Sequence, residues 1–114
     1  MSYQIRVRRE FSAAHYLSGA HGKCEEMHGH NYVVEVAIAS PALKGPGMVE
    51  DFVKVKQDLE QVLPDHRVLN EVFAFNPTAE NLARYFCEQL SAKYAVARVT
   101  VWENDACCAE YSPD

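Results

Sequence analysis

The sequence predicts an α+β fold in which a four-stranded antiparallel sheet is covered on one face by two helices. Two segments near the amino end alternate apolar and polar side chains, two segments with helical spacing follow, and two more strand patterns come last. The predicted order is therefore ββααββ. Pairs of strands that flank two helices are accommodated by an antiparallel sheet with both helices on the same side.

The first two strands are predicted from apolar side chains that recur with a period of two. Apolar residues occupy alternate positions between residues 3 and 11, and Arg9 is the charged side chain that interrupts them. Residues 30–39 repeat the pattern, and His30 shares a face with the apolar side chains that follow it at every second position. Pro41 and the glycines after it predict the end of the second strand.

Two helices are predicted from apolar residues at helical spacing, each preceded by a starting signal. Asp51 is a suitable N-cap for the first helix, and Pro64 ends its pattern. Asn76 and Pro77 supply a cap and a first-turn proline for the second helix. The apolar positions are Phe52, Val55, Leu59, Val62 and Leu63 in the first helix and Leu82, Ala83, Phe86, Cys87 and Leu90 in the second.

The last two strands are predicted at residues 96–103 and 107–112, on either side of a short turn. In the first of them Val99 and Val101 share a face with Glu103. A carboxylate on an apolar face is costly to bury without a partner. Glu103 therefore either reaches solvent near the strand end or meets a ligand rich in hydrogen-bond donors.

The domain organisation follows from what the sequence lacks. It contains no internal repeat, low-complexity tract or linker, so we expect one domain over residues 1–114. A four-stranded sheet covered on one side has open edge strands, which invite pairing with another chain. We therefore expect copies of the chain to associate through their sheet edges.

The composition excludes several classes of function. The net charge is −5, from 11 basic and 16 acidic residues, whereas nucleic-acid and membrane-surface binders need a basic face. No apolar stretch approaches the roughly 20 residues that span a bilayer. The amino end has no signal-peptide core, and the four cysteines do not form the framework of a secreted domain. We expect a cytoplasmic location.

Three histidines form a candidate metal site. His28 and His30 are two positions apart and so share one face of an extended segment. His15 ends the first strand pattern, and an antiparallel neighbour can bring it beside the other two. Three imidazoles suit Zn²⁺ and leave a fourth position open, as in catalytic sites. The alternative is that His28 and His30 are ordinary polar side chains of a hairpin.

Two further features lie near this candidate site in the sequence. Cys24 precedes His28 by four residues, and it is either a fourth zinc ligand, which would close the site, or a thiolate activated beside an open metal. Asp65 and His66 form an adjacent carboxylate–imidazole pair that suits a proton relay. The alternative for this pair is a polar loop with a satisfied histidine.

Six short motifs span almost the whole chain. They are Phe11-Ser-Ala-Ala-His15, Cys24-x-x-x-His28-Gly-His30, Gly47-Met48-Val49-x-Asp51-Phe52, Asp65-His66-x-x-Leu69-Asn70, Asn76-Pro77-Thr78-x-Glu80-Asn81, and Glu103 on the third predicted strand. In content and order they resemble the 6-pyruvoyltetrahydropterin synthase and 6-carboxytetrahydropterin synthase family. The Cys-x-x-x-His-Gly-His block with the distant histidine is the most specific of them.

The resemblance implies a tunnelling fold (T-fold) and a homo-oligomer, usually a hexamer of two trimers, with active sites between subunits. It implies zinc as the cofactor, a pterin as the small-molecule substrate, and lyase chemistry on dihydroneopterin triphosphate. The implied zinc ligands are His15, His28 and His30, the general base is Cys24, and the proton relay is Asp65 with His66. The implied pterin-binding residues are Glu103, which anchors the ring, and Thr78 and Glu80, which line the pocket.

Glu25 leaves the product open. Some relatives use a glutamate in this region in place of the cysteine, and they cleave the side chain to 6-hydroxymethyl-7,8-dihydropterin, a folate precursor. This chain has both Cys24 and Glu25. The first expectation is 6-carboxytetrahydropterin, the step toward queuosine and other 7-deazaguanines, and the alternative is the folate-type cleavage. An alternative of another class is a non-catalytic zinc module in which Cys24 is the fourth ligand.

Overall fold

A computed structural model describes residues 2–19 and 26–114 of the chain. Within them, five strands form one sheet and three helices accompany it. The elements are β1 (Tyr3–His15), β2 (His28–Ser40), α1 (Phe52–Val62), β3 (Arg67–Val68), α2 (Leu69–Val72), α3 (Ala79–Leu90), β4 (Val96–Trp102) and β5 (Cys108–Tyr111).

The sheet has the strand order β3-β1-β2-β4-β5. All neighbours pair antiparallel except β3, which runs parallel to β1. The α+β class and the order ββααββ of the predicted elements along the chain are therefore confirmed, but the predicted count of four strands is wrong by one. The additional strand has only two residues, too few to produce an alternating pattern in the sequence.

The pairing of β1 with β2 is long and continuous, over 13 residues of each strand. Tyr3 pairs with Ser40 at one end, and His15 pairs with His28 at the other. Because the register is antiparallel, the end of β1 and the start of β2 lie side by side. Both strands extend further toward the intervening loop than the alternating patterns predicted.

The helix starts are only partly as predicted. Asp51 is the N-cap of α1, and its carboxylate accepts a hydrogen bond from the Val53 backbone N–H at 2.9 Å. The cap of α3 is Thr78, whose hydroxyl accepts from the Asn81 N–H at 3.1 Å. The prediction of Asn76 as this cap is wrong, because its side chain is used elsewhere. The single turn α2 went unpredicted, being too short for a helical pattern.

The core lies between one face of the sheet and the helices α1 and α3. Its side chains include Val7 and Phe11 from β1, Val99 and Val101 from β4, and Leu82 and other apolar residues of α3. Arg9 is the exception on this face of β1: its Nε lies 2.7 Å from a carboxylate oxygen of Glu60 on α1, although its N–H is not directed at that oxygen. No helix among the described residues is long and apolar enough to cross a bilayer.

A polar contact ties α1 to the segment after α3. The Tyr94 hydroxyl donates a hydrogen bond to Asp58, and the Lys93 ammonium lies 3.3 Å from the other carboxylate oxygen of Asp58. The Tyr94 hydrogen bond, helped by Lys93, lowers the pKa of Asp58 below its ordinary value. The side chain of Asp58 is 13% exposed, so the contact is largely shielded from water.

Replacing this carboxylate is expected to destabilise the protein. Because the folded-state pKa of Asp58 is lowered, its contribution is present above the ordinary carboxyl pKa of about 4 and is lost as the pH falls through the lowered value. We expect Asp58→Asn to lower the free energy of unfolding by about 1–2 kcal/mol at neutral pH. Urea denaturation from neutral to acid pH measures the effect, and the difference from the unaltered protein should shrink in acid. Asp105→Asn, in an exposed turn, is the matched control; an equal loss there would contradict the assignment.

Candidate metal centre and its surroundings

The structure brings the three predicted ligands together at the end of the β1–β2 hairpin. His15 is the last residue of β1, and His28 and His30 are the first and third of β2. Three ring nitrogens, one from each histidine, all lie within 4.8 Å of one another. His15 is fully buried and the other two are partly buried. Among the described residues, this is the one group of at least three His, Cys, Asp or Glu side chains that could hold a metal ion.

Backbone carbonyls fix the orientation of two of the rings. Nδ1 of His15 lies 2.8 Å from the carbonyl oxygen of Pro77, and Nδ1 of His28 lies 2.7 Å from that of Glu26. A carbonyl oxygen only accepts, so each Nδ1 carries a proton and donates it. In the neutral rings, both Nε2 atoms therefore hold lone pairs. Such a carbonyl contact is the usual way of fixing the tautomer of a metal-binding histidine.

The free nitrogens converge in a way that fits a metal. Nε2 of His15 and Nε2 of His28 are 3.1 Å apart, so two lone pairs face each other and need a cation or proton between them. Nε2 of His30 is buried 3.5 Å from Glu103, and no group of residues 2–19 or 26–114 makes a hydrogen bond to it. Two nitrogens bound to one tetrahedral zinc at its usual bond length lie about 3.3 Å apart. The geometry and the chemistry of these three donors thus fit three of the four ligand positions of a tetrahedral Zn²⁺.

Burial keeps His15 and His30 in the neutral form that binds metal. Burial is the main cause that lowers the pKa of His15, with the nearby imidazoles contributing, while the Pro77 hydrogen bond opposes it. Burial likewise lowers the pKa of His30, against the opposing charge of Glu103. Both rings are therefore neutral at neutral pH, as a ligand must be. Tyr32 has its hydroxyl oxygen 3.1 Å from Nδ1 of His15, and burial raises its pKa, so it remains a neutral phenol.

Glu103 lies beside the histidine cluster, directly after β4. Its carboxylate is 26% exposed and belongs to a small cavity of about 160 Å³. Glu80 lines the same cavity from the first turn of α3, together with Cys107 and Cys108. Thr78 immediately precedes this turn, and its hydroxyl is the α3 cap. The structure thus brings the predicted Glu103 and Glu80 to one cavity beside the candidate metal centre.

Asp65 and His66 are held against the outer edge of β1. Asp65 accepts a hydrogen bond from the Ser12 N–H at 2.8 Å, and the His66 N–H donates to the Ser12 carbonyl. The His66 side chain is 82% exposed, lies 3.5 Å from Asp65, and lines an open cavity of about 350 Å³ with Gly29, among others. Among the described residues, no hydrogen bond or ion pair joins this pair to the three histidines.

Cys24 and Glu25 lie outside the described residues, so their predicted roles stay predictions. Of the remaining site residues, sequence reasoning missed the Pro77 carbonyl and Tyr32, both of which contact His15. Pro77 acts through its backbone, for which a sequence gives no signal. The position of Tyr32 could have been recognised from the sequence, since this residue lies two positions after His30 and therefore on the same strand face.

Comparison with known proteins identifies the family. The family model described as 6-pyruvoyl tetrahydropterin synthase matches residues 4–114. A relative from Archaeoglobus fulgidus, named provisionally as a 6-carboxy-5,6,7,8-tetrahydropterin synthase, is 43% identical over 109 residues, covering 93% of this chain and 92% of that protein. A dihydroneopterin monophosphate aldolase from Pyrococcus furiosus is 34% identical over 111 residues, covering 92% and 93%. The chain belongs to the 6-pyruvoyl tetrahydropterin synthase family.

A solved structure supports the same conclusion. The 6-pyruvoyl tetrahydropterin synthase of Caenorhabditis elegans superimposes with a TM-score of 0.88 at 30% identity, covering 100% of this chain and 97% of that one. The fold class predicted from the pattern of strands and helices is therefore that of the family. The family resemblance inferred from the six motifs is confirmed.

Zinc is expected to stabilise the folded protein through the three histidines. A ligand that binds only the folded state adds about 2.7 kcal/mol at a free concentration of one hundred times its dissociation constant. His30→Ala should abolish this gain, because it removes one of three ligands, whereas His66→Ala should retain it. Thermal unfolding with and without Zn²⁺ measures both variants.

The pH dependence of this stabilisation follows from the lowered pKa values. Because the pKa values of His15 and His30 lie below the ordinary 6.5, both rings stay neutral to lower pH than a free imidazole. The zinc-dependent shift should therefore be present at neutral pH, and protonation of His15 and His30 should abolish it as the pH falls through the lowered values. A shift that is already lost at neutral pH, or that survives in His30→Ala, would contradict the assignment.

Proposed function

We propose that this chain is a zinc-dependent 6-carboxytetrahydropterin synthase that acts on 7,8-dihydroneopterin triphosphate, in the pathway to queuosine and related 7-deazaguanines. The observation that carries the proposal is the convergence of three histidine nitrogens, two of them oriented by backbone carbonyls, beside a carboxylate-lined cavity. Relatives named as synthases of this product support the choice of reaction.

The metal would be held by His15, His28 and His30. When bound, Zn²⁺ supplies Lewis acidity that polarises oxygens of the substrate side chain and makes the attached protons easier to remove. The protein's part is to keep the rings of His15 and His30 neutral and to aim all three rings at one point. The carbonyls of Pro77 and Glu26 do this for two rings by fixing which nitrogen carries the proton.

Recognition of the pterin is assigned to Glu103. A carboxylate accepts two hydrogen bonds side by side, which matches the 2-amino and ring N–H groups of a pterin. Its position next to His30 would put the pterin ring close to the metal, so that the side chain of the substrate reaches the open coordination position. Glu80, which shares the cavity, and Thr78, which precedes it, would line the pocket.

Proton transfer is assigned to Cys24 and to the Asp65–His66 pair. Cys24 would remove a proton from the substrate side chain as a thiolate, and its reactivity would depend on the nearby cation. Asp65 is fixed by the Ser12 N–H and lies 3.5 Å from the His66 ring. The largely exposed ring of His66 is free to take up or deliver a proton at the surface of the chain.

We further propose that copies assemble as a hexamer of two trimers with sites shared between subunits, in the cytoplasm. Two features support assembly. The edge strand β3 has only two residues, so the outer edge of β1 in residues 3–10 has no strand partner within the described chain. The exposed position of His66 suits a role at a neighbouring copy's site.

The proposed location in the cytoplasm is supported by the cysteines. Free thiols at Cys87, Cys107 and Cys108 suit a reducing compartment.

A second candidate function is side-chain cleavage to 6-hydroxymethyl-7,8-dihydropterin, with Glu25 as the responsible residue. The relative named dihydroneopterin monophosphate aldolase favours it, since it matches over nearly the whole chain. Both reactions use the same fold, metal ligands and pterin anchor. They differ in the base that acts on the side chain, and this chain carries both Cys24 and Glu25.

Product analysis distinguishes the two reactions. Zinc-loaded protein incubated with 7,8-dihydroneopterin triphosphate is expected to yield 6-carboxytetrahydropterin, detected by mass spectrometry, and Cys24→Ala should lose most of this turnover while retaining zinc. Glu25→Ala is the matched variant and should keep it. Hydroxymethyl-dihydropterin that disappears with Glu25→Ala would assign the folate branch instead. Bound zinc with no pterin turnover, and an unreactive Cys24, would favour the non-catalytic zinc module.

Removal of the pterin anchor should affect substrate binding more than the metal. Glu103→Gln replaces one of two acceptor oxygens by a donor, so we expect kcat/KM to fall by about 10- to 100-fold. Zinc content should be unchanged. The control is Glu110→Gln, since Glu110 is exposed and pairs with Arg98 at 3.3 Å. Steady-state kinetics with metal analysis measure both, and equal losses in the two variants would remove Glu103 from the site.

A further inference from the structure

The backbone groups on the outer edge of β1 form hydrogen bonds to different partners along the strand. At Ser12, the backbone N–H donates to the Asp65 carboxylate at 2.8 Å and the carbonyl accepts from the His66 N–H. At Ala13 and Ala14, the edge pairs with the two residues of β3. After β3, the neighbouring chain turns into α2 and no longer runs beside the strand.

Beyond the pairing with β3, two asparagine side chains make hydrogen bonds to the backbone of the residues that follow β1. Asn70 accepts from the Tyr16 N–H at 2.9 Å and donates to the Tyr16 carbonyl at 2.9 Å. Asn76 makes the same reciprocal pair with Ser18, at 3.0 Å for both bonds. A carboxamide has one acceptor and one donor on the same side, as a peptide group does, so each asparagine replaces a missing strand partner.

These bonded positions surround a metal-ligating residue. Tyr16 directly follows His15, and Ser18 lies two residues further on. On the opposite side, Asn76 directly precedes Pro77, whose carbonyl accepts from Nδ1 of His15 at 2.8 Å. The carbonyl of Asn76 in turn accepts from the side chain of Asn81 on α3, at 2.9 Å. The backbone and the ring of His15 are therefore held by one connected set of hydrogen bonds.

We propose that Asn70 and Asn76 are positioning residues of the metal centre, which hold the end of β1 against the Pro77 loop so that Nε2 of His15 points at the metal. This inference rests on the zinc site described under Proposed function. Neither side chain is a metal ligand or contacts a reacting group. They act through His15, because a shift of Tyr16 or of Pro77 turns the ring away from the other two nitrogens.

The chemistry of the two positions requires an amide. An aspartate at either position keeps the acceptor for the backbone N–H but loses the donor, and it sets a carboxylate against a backbone carbonyl oxygen. A serine deletes the reciprocal pair without adding charge. Asn70 and Asn76 are both partly buried, but the bonds that they make to the Tyr16 and Ser18 backbone are exposed. Water can therefore take up the lost hydrogen bonds, but it does not reproduce the paired contact that holds the end of β1. The two substitutions therefore test the pair in two independent ways.

The test is the zinc dissociation constant, measured by competition with a chromogenic chelator on the full chain. Changes in the residues that orient a metal ligand weaken metal binding by about 10- to 100-fold, and we expect this range for Asn76→Asp and a similar loss for Asn70→Asp. The visible spectrum of the Co²⁺-substituted variants should change as well, because the ring of His15 is no longer held in its coordinating orientation. Asn70→Ser and Asn76→Ser serve where an aspartate variant fails to fold.

Two control variants separate positioning from general stability. Gln57→Glu makes the same change from amide to acid at an exposed position of α1, and Asp58→Asn weakens the fold away from the metal. Both should keep the zinc dissociation constant of the unaltered protein. If the asparagine variants also keep it, or if Asp58→Asn loosens zinc as much as they do, the inference is overturned.

The measurement also distinguishes this inference from the proposed function. Zinc binding is measured without substrate, so the absence of pterin turnover leaves the test intact. Failure of the unaltered chain to bind zinc would overturn the metal centre and the positioning role together. Unchanged affinity in the asparagine variants would overturn the positioning role alone.

Discussion

The register of the β1–β2 hairpin is the constraint on which the site depends. Side chains of a strand alternate between faces, so a slip of one residue in β2 would send its histidines to the opposite side of the sheet from His15. The pairs Phe11–Tyr32, Ala13–His30 and His15–His28 prevent this slip. The stacked rings of Phe11 and Tyr32, with centroids 4.8 Å apart, are buried and hold the register one step below the metal ligands.

Burying three polar rings at the edge of an apolar core costs the free energy of their hydration, which contacts next to the rings partly offset. Burial favours the neutral form of His15, and the Pro77 carbonyl satisfies its Nδ1–H. The Nε2 atoms of His15 and His28 face each other, and the described residues give the buried Nε2 of His30 no hydrogen-bond partner. Converging nitrogens that these residues leave unsatisfied are typical of a ligand site, whereas the Arg9–Glu60 pair within the same sheet-to-helix layer supplies its own opposite charge.

The sequence predicted those parts of the molecule that repeat with a regular period or depend on side-chain chemistry. The four long strands, both long helices and the three histidines follow from alternation, helical spacing and the His-x-His pair. The two-residue β3 and the four-residue α2 did not, because a two-residue strand shows no alternation and a single helical turn shows no repeat of helical spacing. The cap of α3 was misassigned to Asn76, since a sequence does not say which backbone group an asparagine will bind. The Pro77 carbonyl was invisible for the same reason.

Because the β1–β2 hairpin is long, the sequence of its connection can change without moving the three histidines. Thirteen consecutive residues of β1 pair with β2 and fix the relative position of the strand ends, and the contacts that the connection adds at Tyr16, Ser18 and Glu26 use its backbone atoms. That connection, from residue 16 to residue 27, contains both Cys24 and Glu25. Its sequence can therefore drift while the histidines keep their places. Under the roles proposed for Cys24 and Glu25, a fold built this way can exchange one reactive side chain for another on a constant scaffold, and two relatives that match over nearly the whole chain bear the names of a synthase and an aldolase.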